Sequence, residues 1–266
     1  MSHIKYFLIS IFALFLIACS PKERNENEII IGTISGPETQ LMEVAKKVAK
    51  EKYGLEVKII TFEDYVMPNT ALAEGALDAN MFQHQPYLDI VLEKQKYHLV
   101  AIGKMFIYPM ALYSKKHQRL GDLPEGAIIG IPNDPSNAAR ALRLLAQAKL
   151  IKIPALNDLE LTPRKILDNP HHFVLKEIPA AQLPRVLEDL DAAIINTNYA
   201  IPAGLLPERD GLLIENYNSP YANLIVVRAA DQNKEKFHKL IQALHSEAVK
   251  EKAKTLFSNQ ALPAWE

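Results

Sequence analysis

The chain has 266 residues, of which 48% are hydrophobic and 23% are charged, and its formal net charge is −1 at pH 7. This length and apolar content suffice for a large core and lie between those of one domain and of two. A net charge near zero, without any block of like charge, argues against nucleic acid or an anionic membrane surface as a partner recognised through charge.

The N-terminal segment has the pattern of an export signal. A short positive end precedes a continuous apolar run over residues 6–17, which is too short to span a bilayer comfortably. Residues 16–19 then read Leu-Ile-Ala-Cys and match the lipobox of bacterial lipoproteins. By this resemblance residues 1–18 are a signal peptide, and Cys19 is lipidated and becomes the new N-terminus.

The alternative for this segment is an ordinary secretory signal with an incidental cysteine. Cys19 is the only cysteine of the chain, so an intrachain disulfide is impossible. The residues that follow it, up to Glu28, are polar and charged apart from Pro21. This composition predicts a flexible tether over residues 19–28.

The remaining chain alternates between strand-like and helix-like segments. Apolar runs predict strands at residues 29–34, 57–62, 79–82, 127–131, 173–178, 192–195, 212–214 and 224–227. Helical patterns begin at Pro37, Asn69, Pro86, Asp134-Pro135, Thr162-Pro163, Ala181 and Phe237. This alternation predicts an α/β fold in which helices cover a parallel sheet.

Residues 99–113 form an unusually long apolar stretch with Pro109 inside it. A single central strand of that length is disfavoured, because proline cannot donate a hydrogen bond within a sheet. We interpret the stretch as a strand that leaves a first lobe, crosses and enters a second. Residues 224–227 then return to the first lobe.

The most informative stretch is residues 78–89, where Phe82, His84 and Tyr87 lie close together in the sequence. Residues 79–82 are the end of a predicted strand, and Pro86 suits the first turn of the helix after it. Connections of this kind are where open α/β sheets bind ligands. Taken alone, the three rings could also be ordinary core aromatics beside a satisfied histidine.

Three further patches accompany this stretch. They are Asp-Tyr-Val-Met-Pro-Asn at 64–69, Pro-Asn-Asp-Pro-Ser-Asn at 132–137, and the pair formed by 195–197 and 219–224. Together with the Phe-Gln-His-Gln-Pro-Tyr run at 82–87, they resemble the methionine-binding lipoproteins that feed ABC importers. The resemblance extends over nearly the whole chain.

The resemblance implies a two-lobed periplasmic-binding-protein fold, type II-like, with two crossings between the lobes. Lobe 1 would comprise residues 29–110 and 223–266, and lobe 2 residues 111–222. The implied function is that of a lipid-anchored receptor that captures methionine, L or D, and delivers it to the permease and ATPase of an ABC transporter. Such a protein is not an enzyme, and we expect neither a cofactor nor a bound metal.

The resemblance also assigns the ligand contacts. Four aromatic residues would line the pocket for the methionine side chain, and two asparagines would hold the ligand backbone: Tyr65, Phe82, His84 and Tyr87, and Asn196 and Asn223. A thioether sulfur favours the edges of aromatic rings, which agrees with such a pocket. An asparagine at a strand end is by itself more often a turn residue.

Arg140 is the candidate partner of the ligand carboxylate. It is the sixth residue of a predicted helix that starts at Pro135. Helical side chains lean toward the N-terminus, where free N–H groups and the positive end of the helix dipole already favour an anion. The alternative is a solvated arginine, as we expect for Arg143.

Other functions fit the sequence less well. A receptor for another small amino acid, a methionine dipeptide or an organosulfur solute is the nearest alternative, and a surface adhesin or signalling lipoprotein comes from a different class. The sequence lacks the Walker motif, the dinucleotide-binding glycine loop and the Gly-x-Ser-x-Gly elbow. No nucleophile–base pair can be proposed for a hydrolase, and His84 has no second ligand at metal-binding spacing.

Overall fold

We describe the fold from a computed structural model, in which residues 25–155, 161–217 and 220–265 are described. The predicted signal peptide, Cys19 and the first part of the predicted tether lie outside these ranges. Among the helices in these ranges, none has an apolar stretch of the length that a bilayer requires.

The strands are β1 Glu28–Ile34, β2 Glu56–Phe62, β3 Ala79–His84, β4 Leu99–Ile107, β5 Ala111–Tyr113, β6 Ile128–Pro132, β7 Val174–Ile178, β8 Ala192–Ile195, β9 Gly211–Ile214, β10 Ala222–Arg228 and β11 Leu262–Pro263. The α-helices are α1 Pro37–Tyr53, α2 Met67–Ala73, α3 Gln85–Gln95, α4 Pro135–Gln147, α5 Thr197–Ala200, α6 Pro207–Asp210, α7 Glu235–Leu244 and α8 Glu247–Leu256.

These strands form two separate sheets, one in each lobe. The first sheet has the order β11-β4-β10-β3-β1-β2, and the second has the order β7-β6-β8-β5-β9. In the first sheet β1 pairs in parallel with β2 and β3, and in the second β6 pairs in parallel with β7 and β8. The strands next to the crossings, β10 and β5, run antiparallel to their neighbours. The predicted α/β fold with two lobes is confirmed, with mixed rather than purely parallel sheets.

Local signals in the sequence fix the helix ends that matter for the site. In α1 Pro37 occupies the first turn, and Gly54 ends the helix in the left-handed conformation with φ 61°. The apolar face of α1 packs into the core of the first lobe, where Leu41, Met42 and Ala45 are fully buried. In α4 the Asp134 carboxylate caps the helix and Pro135 follows it, as predicted.

The long apolar stretch divides as its proline suggested. β4 ends at Ile107 in the first sheet, and β5 begins at Ala111 in the second. Residues 108–110 therefore form the first crossing between the lobes. The second crossing joins β9, which ends at Ile214, to β10, which begins at Ala222, and returns the chain to the first sheet.

Two predicted helices were wrong. The segment at Thr162-Pro163 makes only a 3-10 turn, Pro163–Lys165, because the backbone of Asp168 then pairs with Lys152. The segment after Ala181 likewise makes only the turn Ala180–Gln182 and a run of further turns. Pro184 lacks the N–H that a continuing helix needs, and these turns still bury Leu187 and Leu190.

The two lobes touch across the cleft. One apolar cluster contains Ile34 and Phe82 from the first lobe together with Tyr113 and Leu183 from the second. At Gly36, whose φ is +129°, a side chain would lie 3.5 Å from the backbone oxygen of Asn198 in the second lobe. The lobes are therefore closed on each other, with the cleft between them.

Candidate functional site

The six side chains that the resemblance assigned to a ligand, together with Arg140, line one cavity between the lobes. Its walls are completed by Gln83, Tyr108, Asn137, Thr197, Asn198 and Tyr221. The cavity holds about 390 Å³ of space free of atoms, counted to its mouth.

Aromatic rings form one side of the cavity. The ring of Tyr65 lies 5.8 Å from that of Phe82, 5.9 Å from that of Tyr87 and 5.1 Å from that of Tyr199. The Tyr87 hydroxyl donates to the Tyr65 carbonyl at 2.9 Å, which fixes both rings. Burial raises the pKa of Tyr65 and of Tyr87 above the ordinary value, so both remain neutral phenols. This side suits an apolar, polarisable group.

His84 is held as a neutral imidazole. It caps helix α3, where Nδ1 accepts from the backbone N–H of Tyr87 at 3.3 Å. The proton is therefore on Nε2, which lies 3.2 Å from Oδ1 of Asn137. Burial lowers the pKa of His84 to about 3, and the nearby Arg140 cation acts in the same direction.

Amide side chains form another part of the wall. Asn137, in the first turn of α4, donates through Nδ2 to both carboxylate oxygens of its capping residue Asp134, each at 3.0 Å. Its Oδ1 therefore faces outward and also accepts from Nδ2 of Asn196 at 2.9 Å. This chain of bonds leaves Oδ1 of Asn196 buried without a hydrogen-bond partner among the described residues.

Asn198 provides the complementary group. Its Oδ1 accepts from the Tyr65 hydroxyl at 2.7 Å across the cleft, and its Nδ2 is buried without a partner among the residues described. The wall thus presents one acceptor, on Asn196, and one donor, on Asn198. Buried polar groups are almost always hydrogen-bonded, so unpartnered ones beside a cavity indicate a place for a polar ligand.

Arg140 is buried, with 4% of its surface exposed, so the alternative of a solvated arginine is wrong. The structure nevertheless differs from the prediction of a fork left free for a ligand. Nε donates to Oε1 of Glu215 at 2.8 Å, and Nη2 donates to Oε2 of the same carboxylate and to the Tyr108 carbonyl. Burial alone would lower the pKa of Arg140, but the Glu215 carboxylate raises it above the ordinary value, so the guanidinium is charged.

One nitrogen of the Arg140 guanidinium, Nη1, differs from the other two in its contacts with the described residues. Its central carbon lies 4.2 Å from the centre of the Tyr221 ring. Nη1 makes no hydrogen bond to any described residue, while Nε and Nη2 are both engaged. A carboxylate that enters the cavity therefore meets the Nη1 side of a cation that is already oriented.

Asn223 lies at the start of β10, where the second crossing re-enters the first sheet. Its Nδ2 is 3.5 Å from Oε1 of Glu38, a residue of the first turn of α1. Oε2 of Glu38 is buried without a partner in the described part of the chain. Burial raises the pKa of Glu38 to about 8, against which its own backbone hydrogen bond has a smaller effect.

Sequence reasoning does not assign Asn137, Asn198, Tyr221 or Glu215 to the site, and it sets Asn198 aside because that residue matches no position that the resemblance carries over. The first three fall within or next to the patches that carried the resemblance, but nothing in their local pattern distinguishes them from turn and cap residues. Glu215 had no signal, since its partner Arg140 is 75 positions away in the sequence.

The chemistry of the cavity is that of binding. It offers a charged donor, single amide donors and acceptors, and a set of rings. In the described ranges, no group of three or more histidine, cysteine or carboxylate side chains is arranged to hold a metal. An anionic group at Arg140, a polar group at the amides and an apolar chain among the rings would together fill it.

Comparison with known proteins places the chain in a family. Residues 29–265 match the NlpA lipoprotein family. The D-methionine-binding lipoprotein MetQ of Salmonella typhi is 46% identical over 255 residues, which are 95% of this chain and 94% of that protein.

Solved structures agree. An ABC transporter periplasmic substrate-binding protein from Coxiella burnetii is 56% identical, with a TM-score of 0.85, over 89% of this chain and 100% of that one. A nutrient-binding protein from Burkholderia cenocepacia, solved with methionine bound, is 48% identical with a TM-score of 0.87, over 89% and 99% of the two chains.

Proposed function

The chain belongs to the NlpA lipoprotein family, and we propose that it is a solute receptor that captures methionine between its lobes and hands it to an ABC importer unchanged. The observation that carries this proposal is the composition of one closed cavity. Rings lie on one side of it. Elsewhere in its wall lie a buried, oriented arginine and two amide groups that have no hydrogen-bond partner among the described residues. Relatives named for methionine binding support the same ligand.

Each part of an amino acid with a thioether side chain finds a matching group. The carboxylate would lie against Nη1 of Arg140 and the Nδ2 donor of Asn198. The ammonium needs acceptors, and Oδ1 of Asn196 is one. The thioether would lie among Tyr65, Phe82, His84 and Tyr87. We propose Asn223 as a further contact of the ligand backbone.

The lobes are proposed to close over the ligand by a hinge at the two crossings. Lobe 1 would comprise residues 29–110 and 223–266, and lobe 2 residues 111–222. An open form admits methionine, and the closed form would dock on the permease, whose ATPase drives import. The Coxiella burnetii relative, named as part of an ABC transporter, supports this partner.

The receptor is proposed to be held at the membrane by lipid on Cys19 after removal of residues 1–18. The lipobox at residues 16–19 and the lipoprotein family support this anchor. The tether predicted for residues 19–28 is one residue too long, because Glu28 already belongs to β1. The shorter tether would let the lobes move above the bilayer. This arrangement places the protein in the cell envelope.

The test is ligand linkage on protein that has been unfolded, dialysed and refolded to remove endogenous ligand. The twenty amino acids and D-methionine are screened by thermal denaturation. At a hundredfold excess over its Kd, methionine should stabilise the folded protein by about 2.7 kcal/mol, because it binds only the folded state. A screen in which neither enantiomer of methionine raises the Tm, while wild-type circular dichroism is regained, would refute the proposal.

A further inference from the structure

Glu215 occupies an unusual position for a carboxylate. It is the first residue after β9, at the start of the second crossing, and 8% of its surface is exposed. Oε1 accepts from Nε of Arg140, and Oε2 accepts from Nη2 of Arg140 and from the backbone N–H of Met110 at 3.2 Å. A buried carboxylate with three donors is fixed in place.

Glu215 also joins the two crossings to each other. Its own backbone N–H donates to the carbonyl of Met110 at 2.8 Å, while its side chain accepts from the N–H of the same residue. Met110 is the last residue of the first crossing. The two segments on which the lobes would hinge are therefore tied together at this residue, and the tie includes the helix that carries Arg140.

The orientation of Arg140 depends on these crossing residues. Beyond Glu215, its Nη2 donates to the Tyr108 carbonyl at 2.8 Å in the first crossing, and its face lies on Tyr221 in the second. The contacts hold the guanidinium on the Nε–Nη2 side, and Nη1 makes no hydrogen bond to a described residue. No residue of α4 itself supplies a hydrogen bond to this guanidinium in the described chain.

We propose that Glu215 is a positioning residue for ligand recognition, which holds Arg140 so that its Nη1 side meets the ligand carboxylate and links that orientation to the two crossings. This inference rests on the proposed function. The inference concerns how the ligand carboxylate is recognised, whereas the proposed function concerns which ligand is bound. A receptor that binds methionine without help from Glu215 would leave the proposed function intact.

The arrangement has a direct consequence for selectivity. Arginine has several rotatable bonds and loses entropy when it is fixed, so a partner that orients it in advance lowers the cost of binding an anion. This gain applies only to ligands with a carboxylate. Methioninol, which has an alcohol in its place, should gain nothing from Glu215.

The test is the ratio of methionine affinity to methioninol affinity, measured by displacement calorimetry on ligand-stripped full-length protein. Glu215→Gln keeps the shape of the side chain but replaces one carboxylate oxygen with an NH2 group. At the position of Oε2, that donor would face two other donors, Nη2 of Arg140 and the N–H of Met110. We expect methionine affinity to fall tenfold or more and methioninol affinity to stay within twofold. Glu188→Gln, at an exposed position of the second lobe, is the matched control and should change neither.

Each other outcome contradicts the proposal. An equal loss for both ligands means that Glu215 only supports the fold, and tighter methionine binding means that it competes with the ligand for Arg140. Unchanged affinities mean that Arg140 is oriented without it. Glu215→Asp retains a carboxylate on a shorter stem and should give an intermediate loss confined to methionine, which keeps the test decisive if the glutamine variant folds poorly.

Discussion

Replacing Arg140 with alanine should have two separate effects, on stability and on binding. The guanidinium is paired with the Glu215 carboxylate inside the protein, and both side chains are buried. Removing one member of a buried ion pair leaves the other uncompensated and costs about 3–5 kcal/mol. A domain is typically stable by about 5–15 kcal/mol, so Arg140→Ala should fold but melt at a clearly lower temperature.

The effect on binding adds to this loss. The ligand carboxylate would be left in a closed cavity without its charged donor, which costs about 2–5 kcal/mol. At about 1.4 kcal/mol for each tenfold, this is a loss of roughly thirtyfold to several-thousandfold in methionine affinity. Arg140→Lys should recover only part of it, because an ammonium cannot satisfy Glu215 and the ligand with the fixed geometry of a guanidinium.

A double variant separates the two effects. Arg140→Met with Glu215→Leu removes both charges and fills the space with apolar groups, a replacement that is often neutral or stabilising. We expect thermal denaturation to show wild-type stability or better and calorimetry to show that methionine binding stays weak. If the double variant binds methionine within about threefold of wild type, Arg140 does not recognise the ligand.

The matched control for these variants is Arg185→Ala. Arg185 is exposed in the second lobe, so its loss should change neither melting temperature nor affinity. Arg143 is unsuitable, and the prediction that it is a solvated side chain was wrong. Its Nη1 donates to the Tyr221 hydroxyl at 3.1 Å, and that ring lies against Arg140.

Three further predictions concern other parts of the protein. Because the pKa of Glu38 is raised from 4.5 to about 8 on folding, its stabilising contribution is complete below pH 4.5 and is lost as pH rises to 8, by about 1.4 kcal/mol per pH unit. Urea unfolding of ligand-stripped protein should therefore show that wild type loses stability relative to Glu38→Gln between pH 5 and 8. Glu51→Gln, at an exposed position of α1, is the control, and the absence of such a slope would contradict the prediction. Norleucine, which lacks the sulfur, should bind about 1 kcal/mol more weakly than methionine in calorimetry, whereas equal binding would mean that the rings recognise shape alone. Cys19→Ser should move the protein from the membrane fraction to the soluble fraction with unchanged methionine affinity, and retention after a salt wash would count against the lipid anchor.

Much of the fold could be predicted because its signals are local. Proline at the first turn of α1, α3 and α4 marked each helix start, and Pro109 marked the first crossing. The failures had local causes too. The prediction of a helix after Ala181 did not take Pro184 into account. The segment at Pro163 forms one turn and was predicted as a longer helix, although the backbone of Asp168 pairs with that of Lys152.

The site was predictable only in part. Its aromatic side comes from one continuous stretch and one loop, so a sequence motif shows it. Its polar contacts join residues far apart in the chain, such as Tyr65 with Asn198 across 133 positions and Arg140 with Glu215 across 75. A single sequence gives no sign of such pairs. Arg140 was therefore predicted as a cation near a helix N-terminus. Glu215, which engages Nε and Nη2 of that arginine, was not predicted.

Charge balance links these observations to the ligand. Arg140 is the one charged side chain among those that line the cavity in the described chain, and Glu215 beside it carries the opposite charge. His84 is neutral because its pKa is about 3, and Glu38 is mainly protonated at pH 7 because its pKa is about 8. These two groups therefore add little charge beside the Arg140–Glu215 pair at pH 7. A free amino acid is itself a neutral zwitterion, so closure over it adds no net charge to a site away from water, where an unpaired charge would be costly.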